Sequence, residues 1–336
     1  MKTVSVSSVA KFFKESMDRE AIPNDVSDVV SISLIEASLF GIDSHGVNLF
    51  KHYLDCVKNG RVNAQGKLSF EVRGVTVVCD ASRNFAHYAA SKLLGRMDSI
   101  SSTSGISFGA ITNSDHLGAV GIHAANSGIR GKIILGFTNA DALANTPDGK
   151  STVFGTNPIS LIYRHSDDEL LYIDLATTQY SMNRVKNYRR LKKALPNGVA
   201  RDKKYRVTTV ADEAVTLEPI GGHKGFALAF LVEILTSSIL GRDPSPDVMS
   251  MYNTDLSKHR CLTHSFIMID PNVVFGGGAD NVWATIESLR ARFHPEQLAN
   301  SPGIKELRSR KDRITMGIPM LDDVLSEWAN MGFLDD

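Results

Sequence analysis

Five short runs rich in β-branched and aromatic residues restrict the fold of this chain more than any other feature: Val75 to Cys79, Ile106 to Thr112, Ile133 to Thr138, Ile159 to Tyr163 and Leu170 to Ile173. Runs of that length and composition bury best as strands. Helical stretches near Ala86 to Met97 and Leu117 to Ser127 lie among the first three. Strand alternating with helix calls for a layered α/β domain. A last strand is expected at Phe266 to Ile269, just ahead of Phe275-Gly276-Gly277-Gly278.

Both ends of the chain read differently. Val9, Phe12, Phe13 and Met17 recur at helical spacing, Pro23 interrupts, and a second periodic run follows through Val26, Val29, Val30, Leu34 and Ala37. A third run with Phe50, Tyr53, Leu54 and Val57 on one side stops at Asn59-Gly60, a good helix C-terminus. Val282 to Phe293 and Leu321 to Met331 are again helical in pattern. The two helical ends are therefore expected to pack together around the central sheet. No internal repeat or low-complexity linker marks a sharper boundary.

Charge and cysteine content narrow the class of partner. Lys+Arg 37 against Asp+Glu 37 leaves no global field to hold a polyanion, so nucleic acid is not expected. Cys56, Cys79 and Cys261 are scattered and form no metal-knot or disulfide spacing, which fits a reducing compartment. The N-terminus lacks a basic-then-apolar signal pattern. The longest apolar run, Phe226 to Leu240, carries Glu233 at its centre, a costly residue in a bilayer. A cytoplasmic protein with no membrane partner is expected.

That apolar run follows Gly221-Gly222-His223-Lys224-Gly225, a sharp bend that opens a helix and offers amides and a cation to a phosphate. A dinucleotide fingerprint of the Gly-x-Gly-x-x-Gly kind is absent, since Gly276-Gly277-Gly278 lacks its third glycine and comes late. Ala144 to Ser151 imitates a phosphate-binding loop, but Ala144 replaces the first glycine and Pro147-Asp148-Gly149 reads as a tight turn. His116 and His123 stand two helical turns apart, too far to share one zinc, and no metal is expected. Val185 to Lys193 is strongly basic and reads most simply as a solvated helix face or loop, with a local phosphate site as the lesser reading.

Candidate chemistry is spread over several loops. His116, in Asn113-Ser114-Asp115-His116-Leu117-Gly118, follows a strand at the end where α/β folds hold ligands, and an imidazole there can transfer protons at neutral pH. A lone histidine in that place is also able simply to cap a helix or bond a carbonyl. His45 in Asp43-Ser44-His45-Gly46 carries the same two readings. Gly155-Thr156-Asn157-Pro158 and Ile173-Asp174-Leu175-Ala176-Thr177-Thr178 offer amides, hydroxyls and a carboxylate at strand ends.

Taken in order, Asp43-Ser44-His45-Gly46-Val47, Asn113 to Gly118, Gly155 to Pro158, Asp174 to Thr177, Gly221 to Gly225, Pro302-Gly303 and Gly317-Ile318 resemble the malate/L-lactate dehydrogenase family of the second, non-Rossmann type, over nearly the whole chain. The resemblance implies an α/β fold with a non-Rossmann mixed-sheet NAD(P)-binding domain, here a cofactor- and substrate-binding region over 66–279, a helical domain from both chain ends, 1–65 and 280–336, and a homodimer. It implies NADH or NADPH as cofactor. It also implies hydride transfer to a 2-keto or 2-imino acid, with proton transfer placed on His45 in some members and His116 in others, so both are carried over as catalytic. Ser44, Leu49 and Tyr53 fall at substrate positions. Thr156-Asn157-Pro158, Ile173-Asp174-Leu175-Ala176-Thr177-Thr178-Gln179, Arg184, Gly222-His223-Lys224-Gly225 and Pro302-Gly303-Ile304 fall along the cofactor.

The sequence departs from the family at a telling place. Relatives carry an arginine four residues after the loop histidine, a bidentate clamp for the substrate carboxylate; this chain has Leu49. Lys51, His52 or a residue elsewhere must then hold the acid, or the substrate has none there. Ala86, Val199 and Ile304 also replace a common glycine, tryptophan and glutamate, and Arg184 a common lysine. The expected function is an NAD(P)H-dependent oxidoreductase acting on a small 2-keto or 2-hydroxy acid, ketone or cyclic imine, with the loss of the arginine pointing to a diverged biosynthetic reductase. The alternative is a family member that only binds a nucleotide or partner.

Overall fold

The computed structural model describes residues 2–251 and 255–334. The expected β-rich runs form one sheet, in which the described residues supply seven strands in the order Ser69–Arg73, Thr76–Asp80, Ile106–Ser114, Leu262–Ile269, Ile133–Thr138, Ile159–Arg164 and Leu170–Leu175. Thr76–Asp80 and Ile106–Ser114 run parallel, and the other neighbours are antiparallel. The sheet is thus mixed. Leu262–Ile269 enters its middle from far along the chain, with Phe266 opposite Gly109 on one side and Gly136 on the other. Helix Ala86–Ser104 covers one face through Ala90, Leu93, Leu94 and Met97, all buried.

A second core joins the two chain ends, as the periodicity of both suggests. Val9, Phe12, Phe13 and Met17 of helix Val6–Arg19 pack with Phe50 of helix Phe50–Lys58 and Trp328 of helix Asp322–Asn330. Phe13 stacks on Phe50 with ring centres 3.6 Å apart, and Trp328 meets Phe12 at 4.9 Å. Each such fully buried apolar side chain contributes about 1.5–3 kcal/mol. Lys2–Val4 pairs antiparallel with Ile318–Met320, so backbone bonds also tie the ends.

A third, smaller core gathers Val185, Leu195, Ala200, Ala214 and Leu217 beside a four-stranded sheet of two- and three-residue strands. The turn read at Pro147-Asp148-Gly149 joins two of these strands, with Gly149 N–H donating to Thr146 O at 2.8 Å. The basic run is helix Met182–Arg190, and it is more than a solvated face. Arg189 donates to the carbonyls of Ala211 and Ala214, Arg190 pairs with Asp323 at 2.9 Å, and Arg184 lies 3.9 Å over the Tyr180 ring. No described helix is long and apolar enough to cross a membrane.

Candidate active site

His45 rides on the loop between helices Asn24–Leu39 and Phe50–Lys58. Close packing makes Gly46 necessary beside it: a Cβ there would lie 2.1 Å from Ser38 Oγ, which accepts a 3.0 Å bond from Val47 N–H. Arg313 of helix Ile304–Met316 grips Asp43 at the start of the loop through two bonds of 2.5 and 3.0 Å. Ser44 Oγ lies 2.8 Å from His45 Nδ1. These contacts hold the ring in place.

His116 arrives from the sheet, two residues beyond strand Ile106–Ser114. Its ring centre is 5.7 Å from that of His45, with the planes 24° apart. Tyr53 places its hydroxyl 2.6 Å from His116 Nδ1, and Gly118 N–H approaches the same nitrogen at 3.4 Å. A hydroxyl both donates and accepts, so Tyr53 satisfies Nδ1 whichever proton count the ring carries. Nε2 is left as the nitrogen to meet a ligand. The structure therefore brings four of the expected residues, Ser44, His45, Tyr53 and His116, into one cluster.

The cluster is poorly solvated, and its titration follows. Burial lowers His45 to about 4. For His116 burial acts first, then the neighbouring His45, Arg260, His87 and His52, and the ring falls well below the ordinary imidazole range. Both rings are neutral at pH 7. Beneath them lies a buried ionic group that no local pattern announced: Asp115 accepts from His116 N–H at 2.6 Å and faces Arg260 at 3.4 Å and Arg61 at 4.0 Å. Arg260 also pairs with Asp141 at 2.6 Å, and His264 Nε2 sits 3.1 Å from Asp115 O. These residues come from four separate segments, so only long-range pairing makes them neighbours.

The expected cofactor segments are knitted together by backbone bonds. Thr177 N–H donates to Thr156 O at 2.9 Å, Ile220 N–H to Thr177 O at 2.9 Å, and Gln179 N–H to Glu218 O at 2.7 Å. Thr178 Oγ1 donates to Tyr180 O. Asn157 donates to Ala229 O at 3.1 Å and to Glu233 Oε2 at 2.9 Å, so Pro158 and its strand start against helix His223–Glu233. Asp174 turns inward: its carboxylate accepts from Gly121 N–H at 2.8 Å and Tyr172 Oη at 3.2 Å, and burial raises it to about 6. Ile173 and Ala176 are half-buried, while Leu175 and Gln179 are exposed.

The glycine bend differs from expectation in one respect. Gly222, Lys224, Gly225 and Phe226 all donate their amides to carbonyls of the bend itself, at 2.7 to 3.3 Å. Its offer to an anion is therefore made chiefly by the exposed side chains of His223 and Lys224. Pro302-Gly303-Ile304 lies at the other end of the Leu170–Leu175 strand, where Arg290 bridges Leu170 O and Pro302 O at 2.9 and 2.7 Å. From Leu170 to Thr177 an extended chain covers about 23 Å at roughly 3.3 Å per residue. An exposed glycine bend at one end and a glycine turn at the other suit the two ends of an extended dinucleotide. Arg184 lies on the exposed start of its helix, and Leu49 is half-buried against the helical core.

Asn183 of the same helix donates to Ser44 O at 2.9 Å, bringing helix Met182–Arg190 onto the histidine loop. A cavity of about 220 Å³ lies between them, lined by Ser44, Leu49, His52, Asn183 and Lys186 among others. A larger groove of about 700 Å³, lined by Pro23, Phe70, Tyr88 and Arg96, includes none of the clustered residues.

A family profile described as malate/L-lactate dehydrogenase matches residues 4–328. The malate dehydrogenase of Pyrococcus horikoshii is 27% identical over 331 residues, covering 94% of this chain and 91% of the relative. The (2R)-3-sulfolactate dehydrogenase (NADP(+)) of Chromohalobacter salexigens is 26% identical over 300 residues, covering 89% of each. The crystal structure of the Δ1-piperideine-2-carboxylate reductase of Pseudomonas syringae superposes with a TM-score of 0.87 at 23% identity, over 98% of this chain and 100% of that one. At that identity the likeness establishes the fold.

Proposed function

Because the chain belongs to the malate/L-lactate dehydrogenase family, we propose that it moves a hydride between NADH or NADPH and the C2 carbon of a small 2-keto or 2-hydroxy acid, ketone or cyclic imine. The observation that carries this reading is the convergence of His45, His116, Tyr53 and Ser44 from three separate elements. When bound, the reduced cofactor supplies the hydride. His116 holds the proton at Nε2 and delivers it to the oxygen or nitrogen that becomes negative as the hydride arrives. Tyr53 orients the ring through Nδ1 and follows its change of charge. Burial, the largest cause of its low proton affinity, makes the His116 ring the stronger acid, and neutral His45 packs 5.7 Å beside it. The neutral rings of the free protein gain a proton when an anionic substrate supplies compensating charge.

The cofactor lies along Thr156 to Pro158, Ile173 to Gln179 and Gly222 to Gly225 in this reading, with Pro302 to Ile304 at its far end. The helical ends, 1–65 and 280–336, form one wall of the cleft and 66–279 the other. The assembly is a homodimer: Phe230, Leu231, Ile234 and Ile239 are 51, 45, 48 and 58% exposed along one helical stretch, an apolar face that a second copy would cover. Three free thiols suit a reducing, cytoplasmic setting.

Titrating the purified protein with NADH and NADPH, then assaying a panel of 2-keto acids, cyclic imines and neutral ketones, tests the proposal. It requires cofactor oxidation with at least one class. Cofactor binding with no oxidation across the panel would refute it.

A further inference from the structure

Helix Ala86–Ser104 buries Ala90, Leu93, Leu94 and Met97 against the sheet and turns its other side outward. On that side Tyr88, Lys92, Arg96 and Ser99 follow one another at spacings of four, four and three, so they form one row. All four line the groove of about 700 Å³. Pro23, Asp25 and Val26, at the start of helix Asn24–Leu39, line it from the helical end, and the loop Ala64 to Leu68 with Phe70 from the sheet. The groove thus lies where two layers of the fold meet, a common place for a ligand. Its walls are braced. Asn84 donates to Ala64 O at 3.1 Å and to Gly66 O at 2.8 Å, Gln65 donates to Ala21 O at 2.7 Å, and the Tyr88 hydroxyl donates to Asp25. A site held in this way loses little freedom when it is filled.

The charge along the groove is unbalanced. Lys67, Lys92 and Arg96 are the cations of its lining, and Asp25 is the single acid, already bonded to Tyr88. Arg96 Cζ lies 4.0 Å from the centre of the Phe70 ring, and Lys92 Nζ 5.1 Å from that of Tyr88. Those ring contacts position the two cations and leave their charge uncompensated. Among the described residues none of the three pairs with a carboxylate. The nearest acids along the chain serve elsewhere, Asp98 with Lys132 and Glu71 with Arg73. Gly95 adds an independent sign. It stands inside the helix, where glycine is less stable than alanine, yet a Cβ there would meet nothing within 4 Å. Packing within the chain does not call for a glycine at this position; a body lying in the groove does.

We propose that this groove is a second small-molecule site, taking an organic phosphate of nucleotide size whose phosphates meet Lys67, Lys92 and Arg96 and whose planar body packs against Gly95, Leu68 and Phe70. Lys92 and Arg96 stand one helical turn apart, about 5–6 Å, a span that linked phosphates bridge. Arginine grips a phosphate with its planar fork and lysine adds a point charge, while aromatic and apolar surface holds a base. The volume of about 700 Å³ falls within the roughly 300–1,000 Å³ of small-molecule pockets. The groove shares no residue with the imidazole cluster, so its ligand binds beside the reaction and takes no part in it. Touching both the helical end and the sheet, the ligand ties the two together.

ATP is the probe, titrated calorimetrically into wild-type protein, Gly95→Leu and Arg96→Ala with reduced cofactor saturating, so that a dinucleotide site is already filled. Adenosine and inorganic phosphate are the controls. Wild type should bind one ATP per chain with Kd below about 1 mM, about tenfold or more tighter than either control. Added salt should weaken the binding, and ATP should raise the melting temperature. Gly95→Leu fills the groove and favours the helix, so its melting temperature and turnover should equal or exceed those of wild type while ATP affinity falls about tenfold or more. Arg96→Ala should lose about tenfold. ATP affinity within twofold of wild type in both variants overturns the proposal, as does adenosine or phosphate binding as tightly as ATP, or ATP binding that vanishes once cofactor is saturating. A change of molecular mass in Gly95→Leu, measured by sedimentation, also overturns it, because the groove would then belong to a second copy of the chain. Should no cofactor bind, the comparison of Gly95→Leu with wild type still judges the groove.

Discussion

Replacing Tyr53 by phenylalanine removes one hydroxyl from a buried ring, 3% exposed, whose oxygen lies 2.6 Å from His116 Nδ1. The size of the effect follows from the change of charge on its partner. A hydrogen bond between neutral groups contributes about 0.5–1.5 kcal/mol, and one to a charged group about 1.5–3. Tyr53 therefore favours the imidazolium over the neutral ring by about 1–1.5 kcal/mol, or about one pKa unit. Reduction needs the protonated ring, so its rate falls as pH rises through the pKa of His116 in the substrate complex. In Tyr53→Phe that fall should move about one unit lower, and kcat/KM at neutral pH should drop about tenfold. Cofactor affinity, measured by fluorescence titration, should not change. The assay is a pH–rate profile of both proteins from pH 5 to 9. A profile that superposes on wild type, or a loss confined to cofactor binding, would refute the role given to Tyr53.

Three further predictions concern the scaffold that holds the site. Glu233, 5% exposed, accepts from Asn157 Nδ2 at 2.9 Å, Ser237 Oγ at 2.5 Å, and Ser245 N–H and Oγ at 2.9 and 2.6 Å; Glu233→Ala orphans these buried donors and should cost about 3–5 kcal/mol in urea unfolding, whereas a loss under 1 kcal/mol would contradict it. Gly303→Ala should destabilise by more than about 2 kcal/mol, because a Cβ would meet Leu170 O at 1.8 Å and φ is +91°. Gly60→Ala, at φ +79° with open space around it, should cost only about 1 kcal/mol, and equal melting shifts would refute the packing argument. Burial lowers His123 to about 4, His264 to about 3 and His87 well below the usual value. Between pH 6.5 and about 4 the unfolded chain therefore binds more protons than the native one, and each of these rings subtracts up to about 1.4 kcal/mol per pH unit as pH falls. The urea midpoint should drop steadily from pH 7 to 5; a constant midpoint would contradict this.

The sequence showed the longer strands with a buried face and missed the exposed strand and the shortest ones, among them Ile318–Met320. Ile106–Ser114 announced itself because most of its residues are buried, whereas Ser69–Arg73 is exposed at four of its five positions. Helix Ile304–Met316 escaped notice because it docks through polar groups: Ser309 on Leu39 O, Arg310 on Glu36 and Arg313 on Asp43. Such contacts leave no apolar stripe to read. The two imidazoles were visible as motifs, yet their 5.7 Å approach depends on a loop and a sheet strand meeting. The Arg260–Asp115–Asp141 group under them had no local signal, because its members are placed by the insertion of Leu262–Ile269 into the centre of the sheet.

The measurement closest to the core of this account follows the hydride itself. Wild-type protein is supplied with NADH or NADPH carrying deuterium at either face of C4 and with a 2-keto acid, and the product is read by mass spectrometry and NMR. One deuterium is expected at C2 of the 2-hydroxy acid from one cofactor face only, with loss of that transfer in His116→Ala and cofactor binding intact. Unlabelled product, or transfer undiminished in His116→Ala, would contradict it.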